Sequence, residues 1–264
     1  MKNKIIIWML GMIFFSCQKE IDLNLNSANS KIVIEGEILQ NETAQVKISK
    51  TVDVDDANSY PAVSGAIVII KDDLGNTEQL LETASGVYET SLLKGTEGRT
   101  YTLEVTVENN VYSAQSTMPQ KVNLDDVKIS ISTFSPPGQT EDNYIVYPQF
   151  IDPLELGNNY RFIQSKNGEA DPTIIVANDN IDNGVANSRP IFSQDFELKK
   201  GDTLTLEMMC IDKATYDYFF SLNQSQGNGP GGGTTPANPV SNIQGGALGY
   251  FSAYTSQKKI VLVN

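Results

Sequence analysis

Chemistry in a protein needs a nucleophile, a titrating base or a set of metal ligands, so the residues able to supply them come first. The 264-residue chain has no histidine, two cysteines (Cys17 and Cys210) and 32 acidic residues. Without histidine, Ser-His-Asp and Cys-His relays, His-ligated zinc and the commonest general base are all excluded. Thiol and carboxylate chemistry remain. Cys17 stands at the end of "MIFFSC", where an apolar stretch, Ile5 to Phe15, follows Lys2 and Lys4. Eleven apolar residues behind a positive start have the length of a signal peptide and are too short to span a bilayer as a helix. Apolar residues, a small residue and then Cys make a lipobox: Ser16 lets the peptidase approach, and the Cys17 thiol is nucleophilic enough to take diacylglycerol as a thioether. The expectation is a leader over residues 1–16, lipidation at Cys17 and membrane attachment through that anchor.

The carboxylates are less specific. "DVDDANS" gathers Asp53, Asp55, Asp56 and Asn58, but Asn58 and Ser64 stand where a calcium loop of the EF-hand type needs Gly and Glu, which favours a solvated turn. A pair able to cleave glycosides cannot be singled out, because the separation of two carboxylates is a three-dimensional fact. Gly227, Gly229 and Gly232 spell G-x-G-x-x-G, yet they follow a helical pattern rather than a strand, so they cannot bring pyrophosphate to a helix N-terminus. Ser91-Leu-Leu-Lys94 and Ser256-Gln-Lys-Lys259 match S-x-x-K without the companion motifs of penicillin-interacting enzymes. The reading is of no catalytic residue, no metal and no cofactor.

Charge narrows the partners. Removing residues 1–16 takes away two lysines and Trp8, the only tryptophan, and leaves 17 basic residues against 32 acidic ones. Such a chain is a poor ligand for nucleic acid, whose affinity comes from Lys and Arg on phosphates. It is also repelled by anionic headgroups, so attachment rests on the acyl anchor. With Cys17 lipidated, Cys210 has no disulfide partner. In "DTLTLEMMCID" it falls on one face with Leu204, Leu206 and Met208, as a small buried hydrophobe.

The elements that must position these residues are mostly strands. "KIVIEGEIL", "AQVKIS" and "GRTYTLEVTV" alternate apolar and polar residues, with Tyr101, Leu103, Val105 and Val107 inward, and Gly, Asn and Asp mark the turns. The fold class expected is mainly β, with two β-sandwich domains of immunoglobulin or transthyretin type. Residues 17–30 read as a flexible tether, 31–119 as the first domain and 120–264 as the second. In the second half "DDVKISIS", "NYIVYPQF", "NYRFIQS", "PTIIVA", "PIFSQDFEL" and "DTLTLEMMC" read as strands, and "ALGYFSAY" and "KKIVLVN" as two closing strands. One helix is expected at about 212–225, capped by Asp212, followed by a long Gly/Pro-rich loop. Long loops in compact domains are usually functional or disordered. Asn238, Pro239, Asn242, Gly245 and Gly246 therefore become candidate partner-binding residues, joined by Tyr60 and Tyr250, two aromatics placed to meet a partner.

At this point "KIVIEGEI", "PAVSGAIVIIKDDLGN", "GRTYTLEVTVENNVYSAQSTMP" and "GDTLTLEMMCIDKATYDYFFSL" resemble a family of Gram-negative outer-membrane lipoproteins of unknown function encoded beside TonB-dependent receptors. "GVYET" and "NPVSNIQGGALGYFSAY" carry the likeness further along the chain. The resemblance implies an outer-membrane location, with "QKE" and Asp22 after Cys17 loosely matching export signals to the cell surface. By analogy with starch-utilisation systems, it also implies a surface lipoprotein that helps a receptor capture its cargo. Two alternatives compete with this non-enzymatic reading: a structural or adhesive module without a small ligand, and a carboxylate-based hydrolase.

Overall fold

Period-two alternation buries one face of a strand and wets the other, and the β-branched residues that carry it here are suited to a pleated surface. The computed structural model describes residues 30–52, 60–132, 144–181, 183–187, 189–193, 196–226 and 238–264. Among them it is mainly β, with one helix. The strands are β1 Ile32–Leu39, β2 Thr43–Lys50, β3 Ile67–Asp72, β4 Thr77–Gln79, β5 Leu81–Ala84, β6 Val87–Lys94, β7 Thr100–Val107 and β8 Asn110–Thr117. They continue as β9 Asp126–Ile131, β10 Tyr144–Gln149, β11 Asn159–Lys166, β12 Glu169–Ala170, β13 Ile175–Asn178, β14 Thr203–Ile211 and β15 Leu248–Leu262, with helix α1 at Lys213–Ser225 between the last two.

A long sheet in the order β12-β11-β14-β15-β1-β2-β6-β5 is the backbone of the fold, with β13 beside β11. A four-stranded sheet, β4-β3-β7-β8, and a β9-β10 pair complete it. The β7–β8 turn places Glu108 and Asn109 at positive φ, 50° and 68°, the backbone of a tight hairpin whose twist matches its strands. Pro148 is tolerated in β10, where pairing with β9 is, among the described residues, the one ladder the strand makes.

Two cores result. In the first, Ile34, Ile38, Val46 and Ile48 of the long sheet meet Val68, Ile70, Leu103 and Val105 of the four-stranded sheet. In the second, Phe162, Leu204, Leu206, Met208 and Cys210 meet Val127, Val146 and Phe150. The inward sets read from "GRTYTLEVTV" and "DTLTLEMMC" are both buried as expected.

The last strand ties the two cores together. "ALGYFSAY" and "KKIVLVN" form one continuous strand, because "TSQ" between them holds neither Gly nor Pro to break it. Its first half lies parallel to β1, from Val33 opposite Leu248 to Leu39 opposite Tyr254. Its second half lies antiparallel to β14, from Thr255 opposite Cys210 to Leu262 opposite Thr203. Ile243, Ala247, Phe251 and Ala253 accordingly pack in the first core, although they come last in the chain.

"PIFSQDFEL" departs from its strand reading. Its described residues make one isolated bridge, Ile191 to Val146, and Phe192 is exposed. Pro190 removes a ladder donor just where pairing would extend. The helix begins where expected: Asp212 accepts from the Thr215 N–H at 2.8 Å. Its other oxygen accepts from Ser116 Oγ at 2.7 Å, which fastens the helix start to β8. The C-cap is Gln226. Gly227, Gly229 and Gly232 lie outside the described residues, as do Cys17 and the "DVDDANS" acids.

Candidate functional site

Because Ile34, Gly36 and Ile38 face the first core, Glu35 and Glu37 must face outward from β1. Register then decides their neighbours. Glu35 stands between Lys47 of β2 and Tyr250 of β15, and Glu37 between Gln45 and Ser252. Glu35, Glu37, Gln45, Lys47 and Tyr250 line a recess of about 90 Å³, room for a small polar group such as a hydroxyl or an ammonium.

Tyr250, the aromatic residue of the lining, is backed by a cluster of rings. Tyr218 and Phe219 of α1 cover the outer face of β15, with ring centroids 4.8 and 5.0 Å from Tyr250. The Arg161 guanidinium of β11 lies 3.8 Å above the Phe219 ring, a cation–π contact that closes the stack. Tyr250 donates its hydroxyl hydrogen to Glu37 Oε1 at 2.5 Å. Burial, and then the Glu37 charge, push the Tyr250 phenol well above its ordinary pKa. Burial pushes Tyr218 up to about 12, with Glu35 adding to it. Both phenols therefore keep their protons at neutral pH, and Tyr250 acts as a hydrogen-bond donor rather than as a base or nucleophile.

A larger hollow of about 380 Å³ lies between β4 and β6, lined by Asp72, Glu78, Leu92, Lys94 and Arg99. Its carboxylates are engaged in the fold. Asp72 accepts from Leu74 and Asn76, and Glu78 accepts the N–H groups of Ser91, Leu92 and Leu93. Arg99 pairs with Asp73 at 2.9 Å. Among the described residues no three His, Cys, Asp or Glu side chains are grouped to hold a metal ion. Nor is any helix among them long and apolar enough to cross a membrane.

The candidate residues read from the sequence are dispersed. Tyr60 is exposed at the edge of the described chain, far in sequence from the others. Tyr250 is buried and presents its hydroxyl edge to the recess. Asn238 is exposed and Pro239 half-buried. Asn242 is occupied by its own chain, donating to Phe251 O at 2.8 Å and accepting from Phe251 N–H at 2.9 Å, as a neighbouring strand would. Gln244 exchanges backbone bonds with Ser113 of β8, and Gly245 sits tightly against Val111. Residues 240–245 thus form a strap along β15 and β8. Glu35, Glu37 and Arg161 were not singled out from the sequence. The alternation in "KIVIEGEIL" was the available signal for the two glutamates, since it sends both to the outer face.

A mainly-β chain with a small polar recess backed by aromatics is the class that fold and site define. Over residues 18–260 it matches a family described as a domain of unknown function, DUF4249, and it belongs to that family. No curated protein matches the sequence.

Proposed function

We propose that the protein is a non-enzymatic lipoprotein, anchored to the outer membrane through Cys17 and exposed at the cell surface, which helps a TonB-dependent receptor capture its ligand. In this reading the two cores are sandwich domains of immunoglobulin or transthyretin type, joined by β15 into one rigid binding body. The recess chemistry is the observation that supports binding over catalysis. Its phenol, Tyr250, holds its proton against the Glu37 carboxylate, so the recess offers a donor and acceptors side by side rather than a base beside a nucleophile. Such an array suits hydroxyl-rich or amine-bearing cargo. The lipobox supports the location.

The test is affinity purification from solubilised outer membranes, with wild type beside Cys17→Ala. The expected result is a plugged β-barrel receptor retained by the wild type and palmitate label in the wild type alone. Retention of no receptor would favour the adhesive alternative, and equal label in both proteins would end the anchoring reading.

A further inference from the structure

Five aliphatic side chains stand exposed together at one end of the second core: Ile151, Leu154, Leu156, Ile181 and Val185, each between 53% and 81% accessible. They sit on two loops, the one that leads into β11 and the one that leaves β13. The loops are fastened to each other at several points. Ile151 bridges Ala186, Asp152 N–H donates to Val185 O at 3.0 Å, and Asn183 Nδ2 donates to Leu154 O at 3.3 Å. Asp179 accepts the N–H groups of Gly157 and Asn158, and the Tyr160 hydroxyl donates to Asp152 from below. Leu154 lies so close across Gly184 that a Cβ there would stand 2.5 Å from Leu154 Cδ2. The tip is therefore a braced structure that holds aliphatic groups in water. Several exposed aliphatic groups gathered on one braced pair of loops mark a place of interaction.

Composition and position say what covers it. Protein-binding hot spots are rich in Trp, Tyr and Arg, and the loops 151–158 and 179–187 contain none of these and no lysine. Their charged residues are acidic, which disfavours anionic surfaces and leaves a neutral apolar medium as the complementary partner. Register gives the direction. Asn159 is opposite Ile211 and Asn178, Cys210 is opposite Thr255, and Tyr254 is opposite Leu39. Loops that precede Asn159 and follow Asn178 therefore project toward the end of the long sheet where the chain enters β1 at Ile32. Between Ile32 and Cys17 lie fourteen residues, a span of at most about 50 Å when fully extended. An acyl anchor on Cys17 brings the bilayer within reach of this end of the molecule.

We infer that the tip formed by Ile151, Leu154, Leu156, Ile181 and Val185 dips into the surface of an electrically neutral phospholipid bilayer, as a second contact that fixes the orientation of the lipid-anchored protein. This rests on the anchoring at Cys17 alone, and not on exposure at the cell surface, for its biological setting, while the physical contact can be tested apart from it. Two points of attachment set an orientation where one flexible tether sets none, and the recess beside Tyr250 is then held at a defined angle to the membrane.

The test exploits the loss of Trp8 with the leader. Leu154→Trp and Leu156→Trp each make a single-tryptophan protein, and Ile260→Trp, on an exposed position near the far end of β15, is the control. The chain from Cys17 onward is coupled chemically at Cys17 to a maleimide lipid in phosphatidylcholine vesicles, Cys210 being buried. Insertion to the depth of an interfacial element predicts emission shifted to the blue and quenching by brominated acyl chains about threefold or more above that at residue 260. Substituting part of the lipid by phosphatidylglycerol should reduce it. Equal quenching at all three positions, or none at 154 and 156, would overturn the inference. So would a blue shift that appears without lipid as protein concentration rises, which would make the tip a contact between copies, or one that appears only with a membrane-protein extract. Because the coupling is chemical, absence of lipid on Cys17 in cells would refute the anchoring reading and leave this outcome unchanged.

Discussion

The Tyr250 hydroxyl donates to Glu37 Oε1 across the parallel β1–β15 pair, 213 positions apart in the chain. Tyr254 reaches the other carboxylate oxygen at 3.5 Å. The first and last described strands are thus joined by side chains on the outer face as well as by their backbone ladder. A hydrogen bond to a charged group contributes about 1.5–3 kcal/mol. Tyr250→Phe, which keeps the ring among Tyr218 and Phe219, should therefore cost roughly 1.5 kcal/mol in urea unfolding. The double variant with Glu37→Gln should cost clearly less than the two single changes added together. Additive costs would show that the two groups are not coupled.

Cys210 offers a test of the second core. Burial raises its thiol pKa, more than the Val122 N–H directed at its sulfur lowers it. In Cys17→Ala, a thiol reagent at neutral pH should react with no sulfur in the folded protein and with one after denaturation. Rapid reaction in the folded state would mean that β14 does not pack as described.

The sheet clamp at Glu78 makes a pH prediction. Burial works to raise its pKa, but the N–H groups of Ser91, Leu93 and Leu92 outweigh it and hold the carboxylate below the ordinary value. A depressed pKa in the folded state means stability that is present above the unfolded value, about 4.3, and lost as pH falls through the folded value. Glu78→Gln should thus be less stable than wild type at pH 7. The gap should close as the pH is lowered below about 4.3. A gap that is constant with pH would assign the effect to packing rather than charge.

What was legible in the sequence was local. Alternation in "GRTYTLEVTV" marks an inward face because one strand carries its own pattern, and Asp212 announces a helix through bonds within a single turn. The recess was not legible, because Glu35 and Glu37 could be sent outward by pattern while Lys47, Tyr250 and Tyr218 reach them through register and a helix crossing. "PIFSQDFEL" failed for a related reason: its composition suits a strand, but Pro190 lacks the donor that would carry the pairing of Ile191 with Val146 into a ladder. The parallel pairing of β15 with β1 depends on contacts more than 200 positions apart, where no local signal exists.

The strap before β15 gives the last prediction, on two adjacent glycines. Gly245 and Gly246 both have positive φ, 92° and 89°, where an L side chain is strained by about 1–3 kcal/mol. Their surroundings differ. A Cβ on Gly245 would stand 2.7 Å from Val111 O and 3.1 Å from the Tyr112 ring, whereas one on Gly246 would meet nothing within 4 Å. Gly246→Ala should therefore show the backbone strain alone. Gly245→Ala adds a backbone collision that the Gln244–Ser113 bridge holds in place, so it should cost at least about 1 kcal/mol more. Asn242→Ala removes both bonds to Phe251 and should cost roughly 1–2 kcal/mol, less than Gly245→Ala. If the strap were instead a partner surface, the three variants would keep their thermal midpoints and lose receptor retention. Gly245→Ala as the most destabilising of the three, with retention following stability, is the outcome that the bonding of the strap requires.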